Sequence, residues 1–216
     1  MSISSQELKE GLEVIEQEWQ QLDDKADWDA VKLLQQHDAT FLRITRSLNA
    51  STDNPYEQQD EDEIEEDDDE ALRRTKPAER PLAIYDIVHS PSYQVPVLYV
   101  SFKNRASGRP PSIEELYQML VPSTQRTSMQ TVGQLGAITL TEHPITGIPA
   151  YFVHPCRTRE ALEPALEGRT VKPAEYVALW LGTIGASVGL NVPLPLATRL
   201  NRGRRIRKST LEESEQ

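Results

Sequence analysis

Residues 151–158 read YFVHPCRT, and Cys156 within that run is the only cysteine among 216 residues. A thiolate attacks acyl carbons well and also leaves well, so one cysteine can hold a carboxyl group as a thioester and pass it on. His154 stands two residues earlier, which along an extended chain puts both side chains on one face. Pro155 between them biases His154 toward extended geometry. Arg157 follows directly, and a neighbouring cation favours a thiolate. Other chemistries share these residues. A lone cysteine is often simply a packed apolar side chain. A cysteine protease would draw its base from His89, His143 or His154, although no G-x-C context accompanies the thiol. Zinc could take His143, His154 and Cys156, but there is no second cysteine and no C-x-x-C or H-E-x-x-H spacing. No Walker loop or dinucleotide fingerprint is visible. The glycines from Gly182 to Gly189 fall in an apolar run and read as small-residue packing.

The elements around the thiol follow from hydrophobic periodicity. Ser4-Ser-Gln-Glu7 has the spacing of a capping box, and Leu8, Leu12, Ile15, Trp19 and Leu22 then recur at steps of three and four, predicting an amphipathic helix. Trp28, Val31 and Leu34 predict only a short turn. Phe41–Leu48 alternates apolar with polar and reads as a strand. Leu82–Val88 and Tyr93–Phe102 are β-rich runs joined by His89-Ser-Pro-Ser92 as a hairpin, with Pro96 placing an edge or a bulge there. That edge is either a docking site for a partner strand or one blunted by its proline. Ser112-Ile-Glu-Glu115 opens a helix through Val121. Residues 136–141 and 149–153 predict two more strands, joined through Pro144 and Gly147. Helices follow at Thr158–Leu166 and from Pro173 to Leu190. Strands grouped together with helices toward the ends predict an α+β fold. Cys156 then falls on a loop just past the last strand, where a rigid scaffold presents reactive groups.

Composition bounds the rest. The net charge of −11 is concentrated in DEDEIEEDDDE at 60–70, without which the chain would be nearly neutral. Residues 49–80 have almost nothing to bury and predict a disordered acidic insert in a single domain spanning 1–200. Residues 201–216 form a polar tail whose run NRGRRIRK reads as solvated rather than as a nucleic-acid site, because no aromatic interleaves it. One cysteine excludes an internal disulfide and fits a reducing compartment. The first residues show no secretory or transit pattern, so the expected location is cytoplasmic. The stretch Val177–Ala197 carries no charge, but its helical part stops before Asn191-Val-Pro-Leu-Pro, short of the roughly 20 apolar residues a span needs. A core helix is expected.

Three blocks then resemble one family: EHPITGIPAYFVHPCRT at 142–158, SYQVPVLYVSF at 92–102 and WLGTIGASVGLNVPLPLA at 180–197. They resemble the autophagy-related E2-like conjugating enzymes. The hairpin and the C-terminal block are similar to the branch that joins the ubiquitin-like modifier autophagy-related protein 12 to autophagy-related protein 5. The HPC element alone is shared with the sister branch of the autophagy-related protein 3 type, which serves the lipid-conjugated modifier. The resemblance implies an E2 core with a four-stranded antiparallel sheet, an N-terminal helix and C-terminal helices. It implies that Cys156 receives the modifier as a thioester from the E1-like autophagy-related protein 7. That partner uses the ATP, and no cofactor or metal is implied for this chain. It also implies a cytoplasmic protein recruited to the phagophore assembly site. The HPN motif of ubiquitin E2 enzymes is absent. In its place the branch uses a hairpin tyrosine and a polar residue two before the cysteine, positions that match Tyr93 and His154. The contrasting class is an interaction module that keeps an E2 fold around an unreactive thiol.

Overall fold

The computed structural model describes residues 2–25, 27–48, 80–105, 107–121, 138–166 and 170–201. The insert expected at 49–80 lies outside the described residues except for Arg80, and so does the tail beyond Asn201.

Helix α1 (Ser5–Gln20) begins where the capping box predicts. The Ser4 hydroxyl accepts the Glu7 N–H, while the Glu7 carboxylate accepts the Ser4 N–H. The stripe Leu8, Leu12, Ile15 and Trp19, with Leu22 just beyond, is buried as expected. Helix α2 (Ile113–Leu120) repeats the device with Ser112 and Glu115.

Among the described residues six antiparallel strands form one sheet in the order β1-β2-β3-β4-β6-β5. They are β1 (Ala30–Gln36), β2 (Ala39–Ser47), β3 (Leu82–Ser90), β4 (Val95–Lys103), β5 (Ile138–Glu142) and β6 (Pro149–Val153). This corrects the four-stranded sheet that the resemblance implies, while periodicity marks every strand but the first. Strand β1 replaces the short turn expected near Trp28, because the spacing of Trp28, Val31 and Leu34 resembles a helical step. Only its pairing with β2, from Ala30↔Thr45 to Gln36↔Ala39, makes it a strand. The two-residue turn between them, His37-Asp38, has no glycine or asparagine to mark it, although His37 takes φ 53°. Among the described residues strand β5 pairs only with β6, at the far edge.

Strand periodicity divides the sheet into two faces. Leu42, Ile44, Tyr85, Ile87, Leu98 and Val100 face the main core, together with buried residues of α1, α2 and the C-terminal helices α3 (Thr158–Leu166), α4 (Pro173–Ile184) and α5 (194–201). Helices on one face of an antiparallel sheet make the fold α+β, as expected. Gly11 permits close approach of α1 to α4, since a Cβ there would lie 2.9 Å from the Pro173 carbonyl. The opposite face carries a smaller cluster of Phe41, Val88 and Val97, flanked by Leu34, Tyr99, Ile145 and Phe152.

The helix expected to run to Leu190 ends at Ile184 and tightens into a 3-10 turn, Gly185–Val188. Glycine and serine are weak helix formers, and Gly189 takes the left-handed φ of 71° that ends the run. The segment then docks on the sheet. The Tyr85 hydroxyl donates to the Val188 carbonyl at 3.0 Å, and Arg46 donates to the Gly189 carbonyl. Among the described residues no helix is long and apolar enough to cross a membrane.

Candidate active site

Strand β6 delivers the thiol. It pairs with β4 over three residues, Leu98↔Val153 to Val100↔Tyr151, and with β5 along its length. Tyr151 faces the core and its hydroxyl donates to the Pro111 carbonyl, tying β6 to the segment ahead of α2. Immediately after Val153 the chain turns into a single 3-10 turn, Pro155–Arg157, before α3 begins. Pro155 is buried, Thr158 is buried, and Cys156 between them is exposed and free. The Arg157 side chain, expected to favour the thiolate, lies outside what the structure describes.

His154 has the extended backbone that a following proline imposes, φ −68° and ψ 130°. Its relation to Cys156 differs from the one expected, because the chain bends at Pro155 and does not stay extended. The ring instead turns toward its own loop, where Nδ1 accepts the Cys156 N–H at 3.1 Å. Histidine thus caps the 3-10 turn much as an asparagine would.

Tyr93 arrives on the β3–β4 turn, at the same end of the sheet as the end of β6 and 61 residues away in sequence. It is 50% exposed, and its hydroxyl lies 3.2 Å from His154 Nε2. The two rings meet edge to face with centroids 5.4 Å apart. The direction of this hydrogen bond follows from the cap. A backbone N–H can only donate, so His154 Nδ1 presents its lone pair to Cys156, and the neutral ring carries its hydrogen on Nε2. Nε2–H therefore donates to the Tyr93 oxygen, and the tyrosine's own O–H remains free to donate elsewhere. Tyr93, His154 and Cys156, separated in sequence, come together here. With both His154 nitrogens engaged in this way, neither is placed as the base of a cysteine-protease dyad.

The remaining histidines lie elsewhere. His143, in the loop between β5 and β6, is buried on the second face of the sheet. Its Nδ1 accepts the N–H groups of Ile145 and Thr146, both at 3.2 Å, closing the turn that Gly147 completes at φ 71°. Its Nε2 stands 3.3 Å from the Asp86 carboxylate. Arg43 grips the same carboxylate with two bonds of 2.8 and 2.7 Å. Burial pushes the Asp86 carboxyl up, but the bonds from Arg43 and His143 outweigh it and hold the group below the usual aspartate range. His143 is thus committed to Asp86 rather than to a site with Cys156. Asp86 was not singled out from sequence, although one charge inside LAIYDIVHS signals a paired group within a buried strand. Packed rings connect this network to the thiol loop: His143 lies 4.7 Å from Tyr99, Tyr99 5.2 Å from Phe152, and Phe152 5.8 Å from His154. Among the described residues no cluster of histidine, cysteine and carboxylate side chains is placed to hold a metal ion.

Comparison with known proteins matches residues 6–195 to the family of autophagocytosis-associated proteins, active-site domain. A ubiquitin-like-conjugating enzyme ATG10 from Gibberella zeae is 36% identical over 138 residues, covering 62% of this chain and 57% of the relative. Its Homo sapiens counterpart is 36% identical over 140 residues, covering 62% of this chain and 61% of the relative. The matched region therefore spans about three-fifths of the length of these curated relatives. A crystal structure of the autophagic E2 Atg10 aligns with a TM-score of 0.48 at 18% identity, covering 88% of this chain and 98% of the other.

Proposed function

The chain belongs to the autophagocytosis-associated active-site domain family, and from that premise we propose that it is an E2-like enzyme carrying a ubiquitin-like modifier of autophagy on Cys156. The observation that carries this reading is the exposed thiol at the end of β6, bracketed by a buried proline and a buried threonine on a loop whose backbone His154 caps and to which Tyr93 is joined through His154. The names of the matched relatives support the conjugating class. The similarity of the hairpin and C-terminal blocks supports autophagy-related protein 12 as the modifier, autophagy-related protein 7 as the E1-like donor and autophagy-related protein 5 as the acceptor.

The chemistry has two acyl exchanges. In the first, the Cys156 thiolate attacks the thioester carbonyl on the E1-like enzyme. A C–S bond forms to Cys156 as the E1 thiolate departs, so the acyl energy is retained. In the second, a neutral lysine amine of the acceptor attacks the Cys156 thioester, and negative charge develops on the carbonyl oxygen. The tetrahedral intermediate collapses to an isopeptide bond, releasing the Cys156 thiolate, while the amine loses its proton to solvent. Tyr93 suits the oxyanion because its oxygen is held from behind by His154 Nε2–H and its O–H is free to donate. His154 sets the conformation of the Cys156 loop through Nδ1.

A charging assay tests this with purified protein, the E1-like enzyme, ATP and each autophagy modifier. A thiol-sensitive adduct with autophagy-related protein 12, absent in Cys156→Ala, is expected. Tyr93→Phe should charge normally yet discharge to lysine about tenfold more slowly, less than for an enclosed oxyanion donor because Tyr93 is half exposed. An adduct only with the lipid-conjugated modifier would move the chain to the autophagy-related protein 3 branch. No adduct from folded protein would leave the interaction module as the better account.

A further inference from the structure

We propose that the segment ahead of α1 belongs to the site, with Ile3 and His89 acting as positioning residues that hold Tyr93 against the Cys156 loop; the proposal rests on the reading of Tyr93 given above. The turn that carries Tyr93 lies where the sheet narrows to two strands. Strand β4 continues from Leu98 back to Val95 without β6 beside it, since their register ends at Leu98↔Val153. The hairpin tip is therefore a two-stranded ribbon, a unit that is marginal on its own. Its closing residue, Gln94, takes φ 53°, a left-handed conformation that a non-glycine residue adopts only when neighbours enforce it.

Part of that enforcement is internal. Gln94 N–H donates to the Ser90 carbonyl at 2.8 Å, and the Gln94 amide donates to the Pro91 carbonyl at 2.7 Å. The rest comes from Ile3. Its side chain is 4% exposed and anchored in the main core. Its N–H donates to the Gln94 carbonyl at 2.9 Å. Its own carbonyl lies 2.9 Å from His89 Nε2, and because a carbonyl only accepts, the imidazole donates. One core-anchored residue thus bridges both arms of the ribbon, β3 through His89 and the end of the turn through Gln94, with Tyr93 between them. A catalytic group displaced by about 1 Å can lose up to about a hundredfold in rate, so a clamp on this turn controls whether the Tyr93 hydroxyl reaches the acyl carbonyl.

The experiment is a thiol-ester double-mutant cycle. Wild type, His89→Ala, Tyr93→Phe and the double variant are charged with the modifier by the E1-like enzyme, and single-turnover discharge to free lysine is timed well below each melting midpoint. His89→Ala should slow discharge about fivefold to tenfold without slowing charging. In the Tyr93→Phe background it should add nothing, because the residue it positions has already lost its hydroxyl. His89→Gln, whose amide can donate to the same carbonyl, should restore the rate. Ile3→Pro, which deletes the N–H given to Gln94, repeats the test from the other end of the strap. The contact itself is read independently as the nuclear Overhauser effect between the Tyr93 and His154 rings, which His89→Ala should weaken and His89→Gln retain. Equal slowing by His89→Ala in both backgrounds would overturn the proposal, as would an unchanged ring contact. If Tyr93→Phe discharges like wild type while the ring contact still depends on His89, the strap holds Tyr93 but the catalytic reading of Tyr93 fails.

Discussion

Replacing Asp86 by asparagine keeps the side-chain shape and removes the charge on which Arg43 and His143 converge. In the native protein the two carboxylate oxygens accept two bonds from Arg43, from Nε at 2.8 Å and Nη2 at 2.7 Å, and His143 Nε2 stands 3.3 Å away. An asparagine offers one acceptor oxygen and turns an NH2 toward at least one of those donors. Breaking a buried ion pair from one side costs about 3–5 kcal/mol. The Arg43 side chain is 24% exposed, so water can reach part of the stranded guanidinium. The expected loss is therefore about 2–4 kcal/mol. For a domain of this size that corresponds to a fall in Tm of about 5–12 °C. The pH dependence has a definite sign. Arg43 and His143 hold the Asp86 carboxyl below its ordinary value despite burial. Its stabilisation is therefore complete above the ordinary aspartate pKa of about 4, and it is lost as pH falls through the lower folded value. Urea denaturation of both proteins across a pH series should show the widest gap near neutrality, closing below about pH 4. A gap under about 1 kcal/mol at neutral pH, or one that stays constant through the acid range, would refute the argument that a charge-assisted network holds this loop.

Two further outcomes follow from the docking of the C-terminal block. Gly189→Ala places a Cβ on a left-handed backbone and into the Leu120 carbonyl, so it should destabilise by about 3 kcal/mol in chemical denaturation; a loss below the error of the midpoint would mean that α2 moves aside freely. Tyr85 is buried, and desolvation pushes its phenol up to about 12 despite the nearby Arg46. A raised folded pKa favours the neutral phenol, so the stability it supports holds below about pH 10 and declines from there toward pH 12. Tyr85→Phe should lose about 1 kcal/mol at neutral pH, from the bond to Val188, and show a shallower alkaline decline. Parallel alkaline denaturation curves for the two proteins would contradict that assignment.

Much of this molecule is legible before folding is considered. Both capping boxes, the α1 stripe, the β3–β4 hairpin and the run leading to Cys156 are local signals, each set by residues within a few positions of one another. The thiol stands out by being the only one, and its neighbours at 142–158 carry the family resemblance. What the linear order obscures is set by long-range pairing and packing. Strand β1 is a strand because β2 lies beside it, while its own spacing suggests a helical step and its turn lacks a glycine. The helix after Pro173 stops early because Leu120 and the sheet receive Gly189, a contact between residues far apart in the chain. The site shows the same division. Sequence placed Cys156 on a loop beyond a strand, and resemblance pointed to Tyr93 and His154, but only the fold shows that the His154 ring caps the Cys156 loop and thereby fixes the direction of its bond to Tyr93. Hydrogen-bond direction depends on which groups meet in space, as do the pairing of Asp86 with His143 and the clamp of Ile3 on the Tyr93 turn. Residue types and local spacing specify the elements and the nucleophile; tertiary packing decides what each polar group faces, because a donor acquires its meaning only from the acceptor brought to it.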